Sequence, residues 1–159
     1  TVAGLTGGKK ALTIFPEATI EIAPSGQGYR VRWTITLDHR GDPNGNPVYN
    51  GYEYAWLSAY LPEGARLVST SRTPSSGDLA GDPRSRSFGI GIMPGTTVQT
   101  TLDFEMPGTD QILLRRQPGF NDLAVRITGT TASCPIDWSL TLTEDMLVDL
   151  DTCVAVPAE

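Results

Sequence analysis

The sequence predicts an all-β fold, a single antiparallel β-sandwich that is immunoglobulin-like in the broad sense, with about nine or ten strands. Three observations lead to this prediction. Apolar and polar residues alternate with a period of two along much of the chain, 17 glycines and 12 prolines punctuate it, and strand-favouring threonine and valine recur. The best helix candidate, TEDMLVDLDT at 143–152, is too short and too acidic to be predicted as a helix.

The predicted strands are the alternating runs between the turn signals. In chain order they include 11–15, 18–24, 29–39, 52–61, 97–106, 123–129 and 137–143. The run 29–39 places Trp33 on a face with aliphatic residues, while arginines and threonines occupy the other face. We therefore expect Trp33, and by the same argument Trp138, in the core.

The length and charge limit what the chain can be. A chain of 159 residues can build one domain with its own core, and we predict one β-sandwich domain over 1–159, with 154–159 as a tail or linker. The net charge of −6 argues against binding to nucleic acid, which requires a basic surface. Apolar runs fall well short of the ~20 residues of a membrane span, so we expect no membrane insertion by this segment.

The two cysteines, Cys134 and Cys153, flank turn-like or terminal segments. We predict that they form a disulfide, with two buried free thiols as the alternative. A disulfide would indicate an oxidising, extracytoplasmic compartment, so we expect a secreted or cell-surface bacterial protein. His39, the single histidine, directly precedes an arginine in a predicted turn and is expected to be a solvated loop residue.

The predicted loop at 42–53 has the oxygen-rich spacing of a twelve-residue calcium loop. Its ligand-type residues are Asp42, Asn44, Asn46, Asn50 and Glu53. Pro47 stands where such a loop needs a glycine for its sharp turn. Because asparagine, aspartate, glycine and proline are also the common turn formers, we predict a turn-rich connection without an obligatory metal. Calcium is the alternative, and no other cofactor is expected.

The run 52–61 has one aromatic face and one aliphatic face. Tyr54, Trp56 and Tyr60 lie on the aromatic face together with Tyr52. We expect the aliphatic face to point into the core, which leaves an aromatic row that can stack on sugar rings or on a protein partner. Because exposed aromatic patches are uncommon on monomers, we favour the interpretation in which this row is covered, by the long predicted loop at 72–87, by a sandwich edge or by a domain interface.

Three segments resemble a known family in the same order along residues 28–128. They are YAWLSAYLPEGARLVSTS at 54–71, FGIGIMPGTTVQTTLDFEMPG at 88–108, and ILLRRQPGFNDLAVRI at 112–127. They are similar to the C-terminal β-rich region of an uncharacterised bacterial extracytoplasmic envelope protein family, a domain of unknown function. The resemblance implies an accessory β-sandwich region and supplies no catalytic residue.

The sequence lacks a recognisable catalytic arrangement. It has neither a Gly-x-Ser-x-Gly elbow nor a phosphate-binding loop with its lysine and following helix. We therefore predict a non-catalytic extracytoplasmic module of a bacterial envelope protein, with a structural or protein-contact role. The alternative is a carbohydrate-binding module that uses the aromatic strand face, so the expected partner is a protein or a cell-wall glycan.

Overall fold

The computed structural model describes residues 2–3, 13–26, 28–74, 85–108, 111–115 and 122–158, and at positions 2, 3, 49, 56, 58 and 85 it describes the backbone alone. Regular structure in these ranges is almost entirely β. The strands are β1 (Val2–Ala3), β2 (Ile14–Ser25), β3 (Gly28–His39), β4 (Glu53–Tyr60), β5 (Arg66–Thr70), β6 (Ser85–Ile92), β7 (Thr97–Pro107), β8 (Gln111–Leu114), β9 (Leu123–Thr130), β10 (Pro135–Leu142), β11 (Met146–Asp149) and β12 (Val154–Pro157), and the helix is α1 (Pro47–Asn50).

The strands form three sheets that do not close into a barrel. The largest has six strands in the order β10-β9-β2-β3-β7-β5, and the two smaller sheets have the orders β1-β4-β6 and β12-β11-β8. The pairing of β2 with β9 is parallel, whereas the other described pairings are antiparallel. The expectation of a purely antiparallel fold is therefore wrong at this pair, because alternation within a strand identifies its buried face and not the direction of its neighbour.

The six-stranded sheet is centred on a long hairpin. Strands β2 and β3 pair from Ile14 opposite His39 to Ser25 opposite Gly28. Gly26, in the connecting turn, has a φ of 58°, the left-handed conformation that tight hairpin turns need and that glycine adopts without a steric cost. The hairpin thus sets the register that places the apolar side chains of both strands on one face.

Buried apolar side chains from all three sheets belong to one hydrophobic core. The predicted inner face of β3 is confirmed, since its apolar residues, Trp33 among them, are buried. The aliphatic face of β4 is buried as well. Trp138, expected in the core, is only half-buried and packs against it.

Short strands account for most of the difference between the predicted and observed elements. The described residues contain twelve strands rather than nine or ten, because β8, β11 and β12 have four residues each, too few for alternation to be recognised. Strand β12 pairs with β11, so the expectation of a tail at 154–159 is wrong for Val154–Pro157. Within the described ranges, no helix has the length and hydropathy needed to cross a membrane.

The predicted pairing of the two cysteines is confirmed. Cys134 and Cys153 form a disulfide, with their Cα atoms 6.5 Å apart. The hydroxyl of the buried Thr131 lies 3.6 Å from each sulfur atom. The disulfide therefore ties the start of β10, in the six-stranded sheet, to the residue that precedes β12.

Candidate functional site

The outer face of β4 and β6 combines aromatic residues on one strand with glycines on the other. In the antiparallel register, Tyr54 lies opposite Gly91, and position 56 lies opposite Gly89. The residues between them, such as Leu57 opposite Phe88, point inward and are buried. On the outer face, β6 thus has no side chain at the two positions beside the aromatic residues of β4.

The two tyrosine rings occupy the space that these glycines leave open. A Cβ atom at Gly89 would lie 2.7 Å from Cζ of Tyr54, and a Cβ atom at Gly91 would lie 2.9 Å from Cε2 and Cζ of Tyr52. Real Cβ atoms do not approach other atoms so closely, so any other residue would displace the ring. Each ring therefore crosses diagonally from β4 and rests on the bare backbone of β6.

The exposure of the tyrosines agrees with this packing. Tyr52 is 51% exposed and Tyr54 is 49% exposed, as expected for rings with one face on the backbone and the other towards solvent. Continuing the register one step beyond Glu53 and Ile92 places Met93, which is 54% exposed, opposite Tyr52. We call Tyr52, Tyr54 and Met93, with Gly89 and Gly91 beneath the rings, the aromatic platform.

The platform includes only part of the predicted aromatic row. Tyr54 is exposed, whereas Tyr60 is half-buried and lines an apolar cleft between the sheets with Trp33. The side chain of Trp56 lies outside the described residues, as do residues 75–84 of the loop that was expected to be able to cover the row. Ser87, also on the outer face of β6, is buried, so the exposed surface ends before it.

The glycines of β6 were not predicted as part of the site. They alternate with isoleucine in FGIGIM at 88–93, across from the alternating aromatic residues of the preceding strand. Glycine at alternate positions of a strand leaves one face bare, and this pattern could have indicated a covering ring from a neighbouring strand.

A buried histidine anchors the segment that precedes the platform. His39 is fully buried at the end of β3, so the expectation of a solvated loop residue is wrong. The predicted run 29–39 already ends at His39, so its alternation places His39 at the inward position after Leu37; the error was to assign this residue to the turn that follows. Its backbone accepts a hydrogen bond from Gly95 N (2.7 Å) and donates one to Thr96 O (3.0 Å).

The imidazole ring forms hydrogen bonds with both ends of the loop between β3 and β4. Gly41 N donates to Nδ1 at 3.1 Å, so Nδ1 is an acceptor and Nε2 carries the hydrogen. Nε2 lies 3.1 Å from Gly51 O and donates to it. Because Gly51 directly precedes Tyr52, the imidazole fixes the backbone from which the first ring of the platform extends.

Comparison with known proteins supports the fold. No family model and no curated protein matches this chain. The chain is similar to a crystal structure from Legionella pneumophila. The similarity covers 87% of this chain and 67% of that one, with a TM-score of 0.50 and 10% sequence identity. That protein has a suggested role in nutrient binding. At this identity the likeness shows a shared fold and nothing about the site.

Three oxygen-bearing side chains of the 42–53 loop accept hydrogen bonds from the backbone of the loop itself. Asp42 Oδ1 accepts from Asn44 N at 2.8 Å, and Asn46 Oδ1 accepts from Val48 N at 2.9 Å. Asn50 Oδ1 accepts from Asp42 N at 3.1 Å. These side-chain oxygens serve as turn and cap acceptors for backbone N–H groups, as predicted for a turn-rich connection.

Pro47 and Glu53 have roles that the calcium spacing did not predict. Pro47 is the first residue of α1, a position that suits proline because its missing N–H would have no helical partner, and Asn46 is the N-cap. Glu53 begins β4 and pairs with Ile92. In the described parts of the chain there is no group of three or more histidine, cysteine, aspartate or glutamate residues that could hold a metal. Calcium binding at this loop stays a prediction for experiment.

The outer face of the six-stranded sheet carries paired charges. Asp103 on β7, with a side chain only 9% exposed, accepts hydrogen bonds from Arg32 Nε at 3.2 Å and Ser69 Oγ at 3.1 Å. Burial raises the pKa of Asp103, but the hydrogen bonds from Arg32 and Ser69 and the charges of Arg32 and Arg30 outweigh it, so the pKa lies below its usual value. This network accounts for the buried carboxylate as a structural group.

Proposed function

We propose that this chain is a non-catalytic, extracytoplasmic β-sandwich module of a bacterial envelope protein, immunoglobulin-like in the broad sense, and that it binds carbohydrate through the aromatic platform. One observation carries the proposal. The rings of Tyr52 and Tyr54 rest on the backbone at Gly91 and Gly89 with about half of each side chain exposed.

The chemistry of the platform suits a sugar. A pyranose ring has an apolar face of C–H groups and a polar rim of hydroxyl groups, and its apolar face packs on a flat aromatic ring. Two residues two positions apart on a strand are separated by about 6.6 Å, so the two rings can contact neighbouring units of one chain. None of the platform side chains is charged, which favours a neutral sugar.

Two further observations agree with the proposed location and role. The disulfide between Cys134 and Cys153 is compatible with an oxidising compartment. The protein from Legionella pneumophila, which shares the fold, has a suggested role in nutrient binding. Both observations support the proposal.

A protein-contact role is the second candidate. Tyrosine and methionine are enriched at protein interfaces, and the platform exposes both residue types side by side. A protein partner would require the same side chains as a sugar. Binding to purified polysaccharides distinguishes the two roles, because it involves no protein partner.

The test is a binding survey with the intact chain and matched variants. We expect the chain to bind at least one neutral polysaccharide, soluble or insoluble, in affinity electrophoresis or a sedimentation assay. Tyr52→Ala and Tyr54→Ala should each weaken binding roughly tenfold or more. Val156→Ala is the control, because Val156 is exposed and apolar but lies on β12. If no neutral polysaccharide binds, the proposal is wrong.

A further inference from the structure

We infer that the aromatic platform binds the flat surface of an insoluble, neutral polysaccharide rather than a single dissolved chain. This inference rests on the proposed function and specifies its ligand. It follows from the two half-exposed rings, from the lack of side chains beside them on β6, and from the distribution of charge.

Among the described residues, the platform offers a ligand contacts along one face. On β6, the outer positions beside the rings are Gly89 and Gly91, so no side chain rises there to form a wall along a bound chain. Sites for small dissolved ligands are usually concave and surround most of the ligand surface. A dissolved oligosaccharide lying on this platform would gain contacts on one face and would leave its hydroxyl rim in water.

An ordered solid reduces the cost of such one-sided binding. A flexible chain loses conformational freedom when it is held by two rings, and that loss opposes binding. Chains in a solid are already immobile, so the two half-exposed rings would pack against a preorganised surface and this entropic cost would be smaller. Met93, which is exposed beside Tyr52, adds a further apolar side chain to this surface.

The charge distribution favours a neutral solid over an anionic one. The side chains of the platform are uncharged, and the chain as a whole has a net charge of −6. A polyanionic wall polymer would therefore be repelled at long range and would find no cation among the platform side chains. A neutral β-linked polysaccharide meets neither obstacle.

The experiment compares solids with their dissolved fragments. The intact chain is incubated with microcrystalline cellulose and with chitin particles, and the protein left in the supernatant is measured. Dissolved cello- and chito-oligosaccharides are titrated separately by calorimetry and added as competitors. We expect depletion by at least one solid, no measurable binding of the oligosaccharides, and no competition by them.

Two variants test the platform in different ways. Tyr54→Ala removes a ring, whereas Gly89→Val keeps the ring and displaces it, because the nearest atoms to an added Cβ belong to the Tyr54 side chain. Each should reduce binding to the solid roughly tenfold or more, while Val156→Ala should bind like the unmodified chain. Thermal unfolding of each variant establishes that it is folded before binding is compared.

The remaining outcomes separate the inference from the proposed function. If dissolved oligosaccharides bind as tightly as the solids and require Tyr54, the inference is wrong and the proposed function stands. If neither solids nor dissolved sugars bind, both are wrong. If a solid binds the folded Tyr54→Ala and Gly89→Val variants as well as the unmodified chain, adsorption does not involve the platform and the inference is overturned.

Discussion

Replacing His39 by alanine is the sharpest test of how the loop before the platform is held. His39 is fully buried, and its ring joins Gly41 N to Gly51 O across the loop. A solvated histidine, as the sequence suggested, would be replaced with a change within about 0.5 kcal/mol. A buried ring with two backbone partners predicts a much larger loss of stability.

The magnitude follows from the two backbone groups that lose their partner. Gly41 is buried, so leaving its N–H without an acceptor costs about 1–3 kcal/mol. Gly51 is half-buried, so water can replace the lost donor and the loss is nearer about 0.5–1.5 kcal/mol. We therefore expect His39→Ala to lower the free energy of unfolding by about 2–4 kcal/mol, which for a chain of this size lowers Tm by roughly 4–16 °C.

The assay is urea unfolding followed by tryptophan fluorescence, with the midpoint and slope fitted for each protein. Arg40→Ala is the matched control next in sequence. Arg40 is half-exposed, pairs with Asp38 at 2.7 Å and lies over the Phe15 ring at 4.1 Å, so its loss should cost less than about 1 kcal/mol. A loss below 1 kcal/mol for His39→Ala would refute the anchoring role.

Three further predictions concern the disulfide, the buried carboxylate and the calcium-like loop. The double variant Cys134→Ser/Cys153→Ser should lose roughly 3 kcal/mol of unfolding free energy, and two thiols that alkylate in the native protein would contradict the disulfide. Because the fold lowers the pKa of Asp103, the ionised carboxylate stabilises the folded state at pH values above the unfolded pKa of about 3.9. This stabilisation is lost as the pH falls from there through the lower pKa of the folded state. The urea midpoint should therefore fall more steeply with acid in the unmodified chain than in Asp103→Asn. Calorimetric titration of Ca²⁺ into chelator-stripped protein should give no heat, and micromolar binding abolished by Asp42→Ala would contradict this.

Alternation predicted the long strands well and the short ones poorly. The run 29–39 gave the correct inner face of β3, because five apolar residues at every second position leave no other arrangement. Strand β12 was missed, since Val154–Pro157 contains too few residues to show a period. The parallel pairing of β2 and β9 could not be predicted, because it joins segments more than 100 residues apart whose own patterns carry no direction.

For the candidate site, the sequence predicted the face of the strand on which each aromatic residue lies, but not how far each one is exposed. The sequence correctly placed Tyr54 on the face opposite the buried residues of β4, because side chains alternate across a strand. The sequence could not show that Tyr52 is more exposed than Tyr60, because the exposure of a side chain depends on which other segments of the chain pack near it. The burial of His39 was predictable from the same alternation, because the run 29–39 ends at His39 and places it at the inward position after Leu37.

At Gly89, the two explanations for the covering tyrosine rings predict different results for one substitution, because they agree on Tm and differ on binding. Glycine weakens a strand by about 0.5–1 kcal/mol relative to alanine, and a covering ring recovers part of that loss. Valine at Gly89 is the better strand residue, and the atoms that it would displace belong to the mobile end of the Tyr54 side chain. If the rings serve only to cover the glycines, Gly89→Val should keep or raise Tm with no other consequence. If they serve as a platform, the same variant should keep its Tm and lose its binding to the polysaccharide solid. A Gly89→Val protein that melts well below the unmodified chain would show that the bare backbone at this position is itself required by the fold.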